Sequence, residues 1–252
     1  NDQFAGDNGN DLLKGGDGLD SLFGGNNIDI LSGDLGDDML DGGNGNDCLD
    51  GGLNNDMLDG GNGNDYLDGG LNNDSLIGGS GTDQLVGNSG IDTLTGGTEA
   101  DQFMFTGNLY ANGTPALAGQ TGIKVLNQPD VITDYTIGQD QFVLDKTATR
   151  MDNLVFQKGT AAQLMDGNVL VLQDSFAAAG AAARAIANNN NIQANEGVFV
   201  YFNTTLGLSR VVYSKDLGDG GDISVLANLD NQRGSTGLAN LANFSAQDFT
   251  LG

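Results

Sequence analysis

The chain has 252 residues with 34 acidic and 9 basic side chains, a formal net charge of −25, 42 glycines and no histidine. This charge argues against binding to nucleic acid and anionic membranes, because each phosphate contact needs a lysine or arginine. The lack of histidine excludes Ser-His-Asp and Cys-His nucleophiles, an HExxH zinc site and a histidine haem ligand. The single Cys48 makes no internal disulfide, and no apolar run reaches the roughly 18 residues of a membrane span.

Charge and glycine are concentrated in the first part of the chain. Residues 1–104 hold 21 acidic side chains against Lys14 alone, whereas residues 105–252 hold 13 acidic and 8 basic ones. Of the 42 glycines, 26 lie between Gly6 and Gly97. We therefore expect two domains, 1–104 and 105–252.

A nine-residue period runs from Gly6 to Met104 without an insertion, which gives 11 consecutive nonapeptides. The cleanest is GGNGNDYLD, residues 60–68. The sixth position is always aspartate: Asp11, Asp20, Asp29, Asp38, Asp47, Asp56, Asp65, Asp74, Asp83, Asp92 and Asp101. The eighth is always apolar: Leu13, Leu22, Leu31, Leu40, Leu49, Leu58, Leu67, Leu76, Leu85, Leu94 and Phe103. Asp2 and Phe4 fit the tail of a twelfth unit, so we expect further sequence before Asn1.

The composition of one unit predicts its local structure. Six residues rich in Gly, Asn and Asp favour a tight turn, and the other three favour a short strand with one apolar side chain inward. Two units then make one coil, so that strands stack about 4.8 Å apart in two parallel sheets around a thin leucine core. This core is too small to offset the entropy of ordering so much glycine, and the stacked aspartates repel each other. We expect the chain without metal to be unfolded or molten.

The spacing also predicts the metal. Every second turn lies on the same edge, which places Asp11 beside Asp29 and Asp20 beside Asp38, with backbone carbonyls between them. Two carboxylates and several carbonyls match the roughly 6–8 oxygen ligands of Ca²⁺ better than the ligand sets of zinc, copper, iron or magnesium. Eleven turns, each paired with the turn two units further on, give nine complete sites for Ca²⁺.

Units such as GGNGNDCLD (42–50) and GGSGTDQLV (78–86) resemble the RTX (repeats-in-toxin) family of hemolysin-type calcium-binding repeats. The resemblance implies an all-β fold, in which a right-handed parallel β-roll precedes a β-rich C-terminal cap with one helix. It also implies that the sixth-position aspartates and turn carbonyls bind Ca²⁺. Beside the 11 aspartates, the implied ligand positions are Gly24, Gly33, Gly42, Gly45, Gly51, Gly60, Gly63, Gly69, Gly78 and Gly81.

Some units depart from this pattern. Asn27, Asn54, Asn72 and Glu99 replace the fourth-position glycine, and Asp7, Asp34 and Asn88 replace the second. Asparagine enters left-handed backbone conformations more readily than other residues with a side chain, and glutamate does so less readily. We therefore expect the turns at the two ends of the roll to be its weakest calcium sites.

From Gln102 onward the period is lost and apolar runs predict a β-rich cap. The predicted strands are Phe103–Phe105, Val131–Ile132, Phe142–Leu144, Leu154–Phe156, Val169–Leu172, Val198–Phe202 and Val211–Tyr213. The last two form a predicted hairpin through Asn203–Ser209. A helix is predicted over Ser175–Ala187, with Ser175 as N-cap and Asn188–Asn191 ending it. Such a cap would cover the last coil of the roll.

Two further segments carry a resemblance. ADQFMF (100–105) and DVITDYTIGQDQFVLD (130–145) resemble the region after the RTX repeats in secreted serralysin-type proteases and alginate epimerases. FSAQDFTLG (244–252) is similar to tails read by type I export machinery, and a final edge strand without an export role is the alternative. Asp216, Asp219 and Asp222 fit either one more Ca²⁺ or an acidic hairpin turn.

Three functions are compatible with these features. The favoured one is a non-catalytic, calcium-folded module of a secreted, extracellular or cell-surface bacterial protein with a structural, matrix or adhesion role. Its partners would be calcium ions, the export machinery and a second copy or a surface glycan or protein. The second is the carrier module of a secreted protease, lipase or epimerase, which an HExxH or GxSxG motif before Asn1 would favour. The third is a glycosidase that uses two of Asp130, Asp134 and Asp140.

Overall fold

The computed structural model describes residues 1–107, 109, 129–218 and 222–252. The chain divides into two compact units: Asn1–Phe105 with Gln139–Phe142, and Thr106–Gly138 with Val143–Gly252. Asp219, one of the three aspartates considered for an additional ion, lies outside the described residues.

The first unit has one strand for each repeat, preceded by a strand from the partial twelfth unit. The strands are β1 Gln3–Ala5, β2 Leu12–Asp17, β3 Ser21–Asn26, β4 Ile30–Leu35, β5 Met39–Asn44, β6 Cys48–Leu53, β7 Met57–Asn62, β8 Tyr66–Leu71, β9 Ser75–Ser80, β10 Gln84–Val86, β11 Thr93–Thr98 and β12 Gln102–Phe105. Consecutive strands alternate between two sheets, ordered β1-β3-β5-β7-β9-β11 and β2-β4-β6-β8-β10-β12.

All neighbouring strands in these two sheets run parallel, and paired residues are 18 positions apart. Leu40 pairs with Leu58 in one sheet, and Leu49 pairs with Leu67 in the other. Two nonapeptides therefore make one coil, and the predicted parallel β-roll is confirmed.

The core of the roll is a column of eighth-position side chains. From Leu22 to Phe103 these side chains are at most 1% exposed, whereas Leu13 in the first full unit is half-buried. Because side chains alternate along a strand, the seventh-position residues face outward, and Met57 is 53% exposed. The inward position of one apolar residue per repeat is thus as predicted.

The strands are longer than the three residues predicted. β5 runs from the seventh position of one unit to the third position of the next, and most other strands of the roll have the same six residues. Parallel pairing continues through the glycines, with Gly43 opposite Gly61, so that only positions four to six remain as the turn. The prediction of a six-residue turn was therefore wrong.

The second unit contains most of the remaining elements. Its strands are β13 Asp130–Ile132, β15 Phe156–Gly159, β16 Val169–Phe176, β17 Gly197–Asn203, β18 Leu208–Ser214, β19 Ile223–Arg233 and β20 Phe249–Leu251. Strand β14, Gln141–Leu144, begins in the first unit and ends in the second. The helices are α1 Lys146–Thr149, α2 Ala179–Ala187 and α3 Gly234–Asn240, followed by 3₁₀ turns at Leu241–Asn243 and Ala246–Asp248.

The main sheet of the second unit has the order β13-β19-β18-β17-β16-β15. The predicted hairpin is confirmed, since β17 and β18 are antiparallel with Val200 opposite Val211. Helix α2 buries Ala182, Ala183 and Ile186 in one core cluster with side chains of β16 and β17 such as Leu170. This unit therefore has its own hydrophobic core.

The predicted N-terminus of the helix was wrong. Ser175 lies within β16, opposite Phe202 of β17, because the parallel pairing resumes there after a register shift. The helix begins at Ala179, and its N-cap Ala178 makes no side-chain capping bond, whereas Asn188 is the C-cap within the predicted stop. Helices α1 and α3 and strand β19 were not predicted, whereas β20 lies in the tail for which a final edge strand was one interpretation. Of the predicted strand Leu154–Phe156, only Phe156 lies in a strand, β15.

Candidate metal centre

The sixth-position aspartates form a ladder along each edge of the roll. From Asp29 to Asp101, Oδ1 of each accepts a hydrogen bond from the backbone N–H of the aspartate 18 residues earlier, at 2.7–3.0 Å. The bonded pairs run from Asp11 with Asp29 to Asp83 with Asp101. One carboxylate oxygen per unit thus holds two successive turns of one edge together.

The other carboxylate oxygen, Oδ2, lies in a different environment. It is buried and has no hydrogen-bond partner in nine successive units, at Asp11, Asp20, Asp29, Asp38, Asp47, Asp56, Asp65, Asp74 and Asp83. A buried carboxylate oxygen without a donor is costly, and native structures retain few of them unless an ion or water satisfies them. A regular row of such atoms therefore indicates a row of cation sites.

Each Oδ2 points into a space beside the first-position glycine of its unit. This space is open only because glycine has no side chain. A methyl group on Gly24 would lie 2.6 Å from Asp29 Oδ2 and 2.8 Å from the carbonyl oxygen of Gly42, in the next turn on that edge. The same two kinds of oxygen converge beside Gly6, Gly15, Gly33, Gly42, Gly51, Gly60 and Gly78. We call this space the glycine cradle.

Several fourth-position glycines lie close to a further backbone carbonyl, in the turn one coil earlier. A methyl group on Gly45, Gly63 or Gly81 would overlap the carbonyl oxygen of the fourth residue one coil earlier. Gly45 also lies near Oδ1 of its own aspartate, since a methyl group there would be 2.8 Å from Asp47 Oδ1. The glycines predicted from the resemblance thus lie where two successive turns approach each other.

The substituted turns keep the backbone of the others at the second position but not at the fourth, where Gly9, Gly18, Gly36, Gly63 and Gly81 have φ between 125° and 150°. The second position has φ between 63° and 108° in all 11 units, including those with Asp7, Asp34 and Asn88. At the fourth position, Asn27, Asn54 and Asn72 have φ values of 83°, 86° and 85°, and Glu99 has 82°. Glu99 therefore adopts a left-handed backbone conformation, although glutamate was expected to enter this region less readily than asparagine.

Several aspartates of the ladder have raised pKa values, chiefly because they are buried. Burial raises the pKa of Asp56 to about 6, of Asp65 to about 7 and of Asp74 to about 8. The hydrogen bond from a backbone N–H opposes this rise, and the neighbouring aspartate charges add to it. A cation in the cradle would favour the ionised form of these groups.

The donors available in each site are all oxygens. In the part of the chain that the structure describes, no group of three or more acidic or cysteine side chains is placed to hold one ion. The carboxylates of two turns must therefore be joined by backbone carbonyls, such as those at the glycine cradle. Flexible, carbonyl-rich oxygen sets suit Ca²⁺, so the residues fit this ion.

One of the three aspartates proposed for glycosidase chemistry, Asp140, is hydrogen-bonded to the roll. Asp140, considered above with Asp130 and Asp134, accepts a hydrogen bond from the backbone N–H of Asp101 and belongs to the same unit as the roll. Sequence reasoning missed this link, although Asp140–Phe142 repeats the letters DQF of Asp101–Phe103.

Comparison with known proteins supports the resemblance. The family model of the RTX calcium-binding nonapeptide repeat matches four times, at residues 1–31, 23–58, 50–85 and 77–105. The RTX resemblance of residues 1–105 is thus confirmed, and it supports a calcium-binding module of a secreted protein. No curated protein matches the chain. None of the helices among the described residues is long and apolar enough to cross a membrane.

Proposed function

We propose that residues 1–105 bind about nine calcium ions between successive turns of the roll and fold when they bind them. The observation that carries this proposal is the row of nine buried Oδ2 atoms without a partner, eight of them beside a glycine cradle. The ligands we assign are the sixth-position aspartates and the carbonyl oxygens of the glycine-rich turns. The ion supplies the positive charge that these oxygens lack.

The charge of the roll is the reason that folding depends on the ion. Residues 1–104 carry 21 acidic side chains and one basic one. In the roll, buried aspartates stack on one another, and their charges raise each other's pKa values. Folding without a cation would therefore require either protonating these carboxylates or burying unpaired charge. Binding free energy thus becomes folding free energy.

We further propose that this module belongs to a secreted protein and has a structural, matrix or adhesion role without catalysis. RTX repeats are typical of secreted bacterial proteins and are usually structural. Calcium sites of extracellular modules bind with dissociation constants of roughly 10⁻⁴–10⁻³ M, so millimolar external calcium fills them and the low calcium inside a cell does not. The chain would then stay unfolded until it has left the cell.

Residues 105–252 are proposed to cover the end of the roll and to carry an export signal in their last nine residues. Phe244 and Phe249 are buried, and the rings of Phe244 and Tyr135 stack at 6.0 Å. Export machinery would therefore have to read this tail before the second unit folds. The same signal would serve the alternative function, a carrier module for an enzyme encoded before Asn1.

The proposed calcium dependence is tested on the full chain. Circular dichroism in excess chelator should lose most of the β signal of the roll, and added Ca²⁺ should restore it. Mg²⁺ at the same concentration should restore less, because it requires rigid octahedral geometry. Equilibrium dialysis should find about nine bound Ca²⁺ ions or slightly more. An unchanged spectrum in chelator, with no bound calcium, would refute the proposal.

A further inference from the structure

The aspartate ladder does not end with the last nonapeptide. The backbone N–H of Asp101 donates to Oδ1 of Asp140 at 3.1 Å, and the N–H of Gln141 donates to the carbonyl of Asp101 at 2.8 Å. The previous step has the same two bonds: Asp83 N–H to Asp101 Oδ1 at 3.0 Å and Gln102 N–H to the Asp83 carbonyl at 2.8 Å. Asp140 therefore occupies the place of a sixth-position aspartate.

The neighbours of Asp140 match a repeat unit as well. Phe142 is fully buried, as is Phe103 at the eighth position of the last repeat, and its ring lies 6.3 Å from that of Phe105. The side-chain amide of Gln139 donates to the backbone carbonyl of Glu99. Gly138, two residues before Asp140, has φ of 84°, close to the 82° of Glu99 two residues before Asp101.

This additional turn is outside the nine-residue period. The aspartates of one edge are 18 residues apart within the repeats, but Asp140 follows Asp101 by 39 residues. The matched repeats end at residue 105. The turn is thus supplied by a separate segment of the chain that lies well beyond the repeats.

Part of the glycine cradle is present at this step. The atom closest to a methyl group built on Gly96 is Oδ2 of Asp101, and no backbone carbonyl is among its three nearest atoms, as is also true of Gly69 and Gly87 within the roll. Asp101 and Asp140 are 1% and 4% exposed, so both carboxylates are removed from water. Two buried carboxylates held by backbone hydrogen bonds, with the open space of a first-position glycine beside Asp101, repeat the arrangement found at Asp74 beside Gly69 within the roll.

We infer that Asp101 and Asp140 hold one additional calcium ion, between the last repeat unit, which begins at Gly96, and the segment that ends at Asp140. This inference rests on the proposed calcium binding of the repeats and adds one site to the nine. Because one ligand comes from beyond the repeats, this ion can bind only after the segment around Asp140 has joined the roll. Calcium would therefore order the segment after the repeats together with the repeats themselves.

The substitution Asp140→Asn tests this site. Asparagine keeps an oxygen that can accept the Asp101 N–H bond but removes the negative charge. Asp152→Asn is the matched control, since Asp152 is an exposed aspartate whose nearest basic nitrogen, Lys146 Nζ, is 3.9 Å away. We expect dialysis and atomic emission to find one calcium ion fewer per chain in Asp140→Asn than in wild type, and no change in Asp152→Asn.

The outcomes separate this inference from the proposed function. Wild type without bound calcium contradicts the function itself. Wild type that binds calcium, with an equal number of ions in Asp140→Asn, contradicts only the additional site. If Asp140→Asn does not fold in calcium, a crystal structure of wild type grown with Ca²⁺ decides. An ion at about 2.3–2.6 Å from the Asp101 and Asp140 oxygens supports the site, and water there beside filled repeat sites overturns it.

Discussion

Replacing Gly60 by alanine tests whether the glycine cradle is where the metal binds. A methyl group at this position lies 2.6 Å from Asp65 Oδ2 and 2.7 Å from the carbonyl oxygen of Gly78, well inside van der Waals contact. The change adds no charge, and the backbone of Gly60 is not left-handed, so alanine is not strained there for that reason. Its effect should come from filling the space between the two oxygens.

Two costs add up in the calcium-loaded protein. Inserting a methyl group into a packed site costs about 1–3 kcal/mol. Losing one ion whose dissociation constant is roughly 10⁻⁴–10⁻³ M costs about 1.4–2.7 kcal/mol at about 10 mM free calcium. The free energy of unfolding should therefore fall by about 2–6 kcal/mol.

The measurement is urea denaturation of the full chain at this calcium concentration, followed by circular dichroism, with bound calcium counted in parallel. Gly159→Ala is the matched control, because a methyl group there has its nearest neighbour, Gln163 Cβ, at an ordinary 3.7 Å. We expect Gly60→Ala to unfold at lower urea and to bind fewer ions, and Gly159→Ala to do neither. If Gly60→Ala keeps the ion count and the midpoint of wild type, the cradle is not the metal site.

Three further predictions concern the core, the pH dependence and the second unit. Leu67→Ala should lower the free energy of unfolding in excess calcium by about 2–5 kcal/mol, and Tyr66→Ala by less, because Leu67 is fully buried and Tyr66 is 37% exposed. Burial raises the pKa of Asp74 to about 8, so the folded, calcium-free roll holds protons that the unfolded chain releases above about pH 4. Order in chelator should therefore decline between about pH 4 and 8, and a β signal that grows with pH would contradict this. Asp248→Ala removes the buried acceptor of the Ser245 N–H and should cost about 1.5–3 kcal/mol in thermal unfolding, with an unchanged calcium count.

The repeat made most of the roll predictable, because its period reports both the coil and the position of each side chain. Leu49 faces the core, and Asp47 Oδ1 accepts a hydrogen bond from the backbone N–H of Asp29, in the neighbouring turn on its edge, as the nine-residue spacing predicts. The strand length was not predictable from one unit alone. Gly43 and Gly61 have low strand propensity, and only their pairing with each other across adjacent coils makes them part of a strand.

Beyond the repeats, the sequence predicted less, because the structure there depends on contacts between distant segments. Ser175 looked like a helix cap but lies in a strand, since pairing with β17 holds it extended. The role of Asp140 was hidden for the same reason. Its relation to Asp101 spans 39 residues, and no local period marks it.

Calcium binding would leave a small excess of positive charge in the turn regions of the roll. Nine divalent ions would bring 18 positive charges to two edges that hold 11 sixth-position aspartates and five other acidic side chains, Asp7, Asp17, Asp34, Asp37 and Glu99. The ninth-position aspartates face outward and stand in pairs across neighbouring strands, Asp41 opposite Asp59 and Asp50 opposite Asp68. Like charges in such pairs are unfavourable, and burial together with the charge of Asp41 raises the pKa of Asp59. When calcium ions line both edges of the roll, these paired aspartates would instead act as counterions. They would bring the net charge of the calcium-loaded roll close to zero.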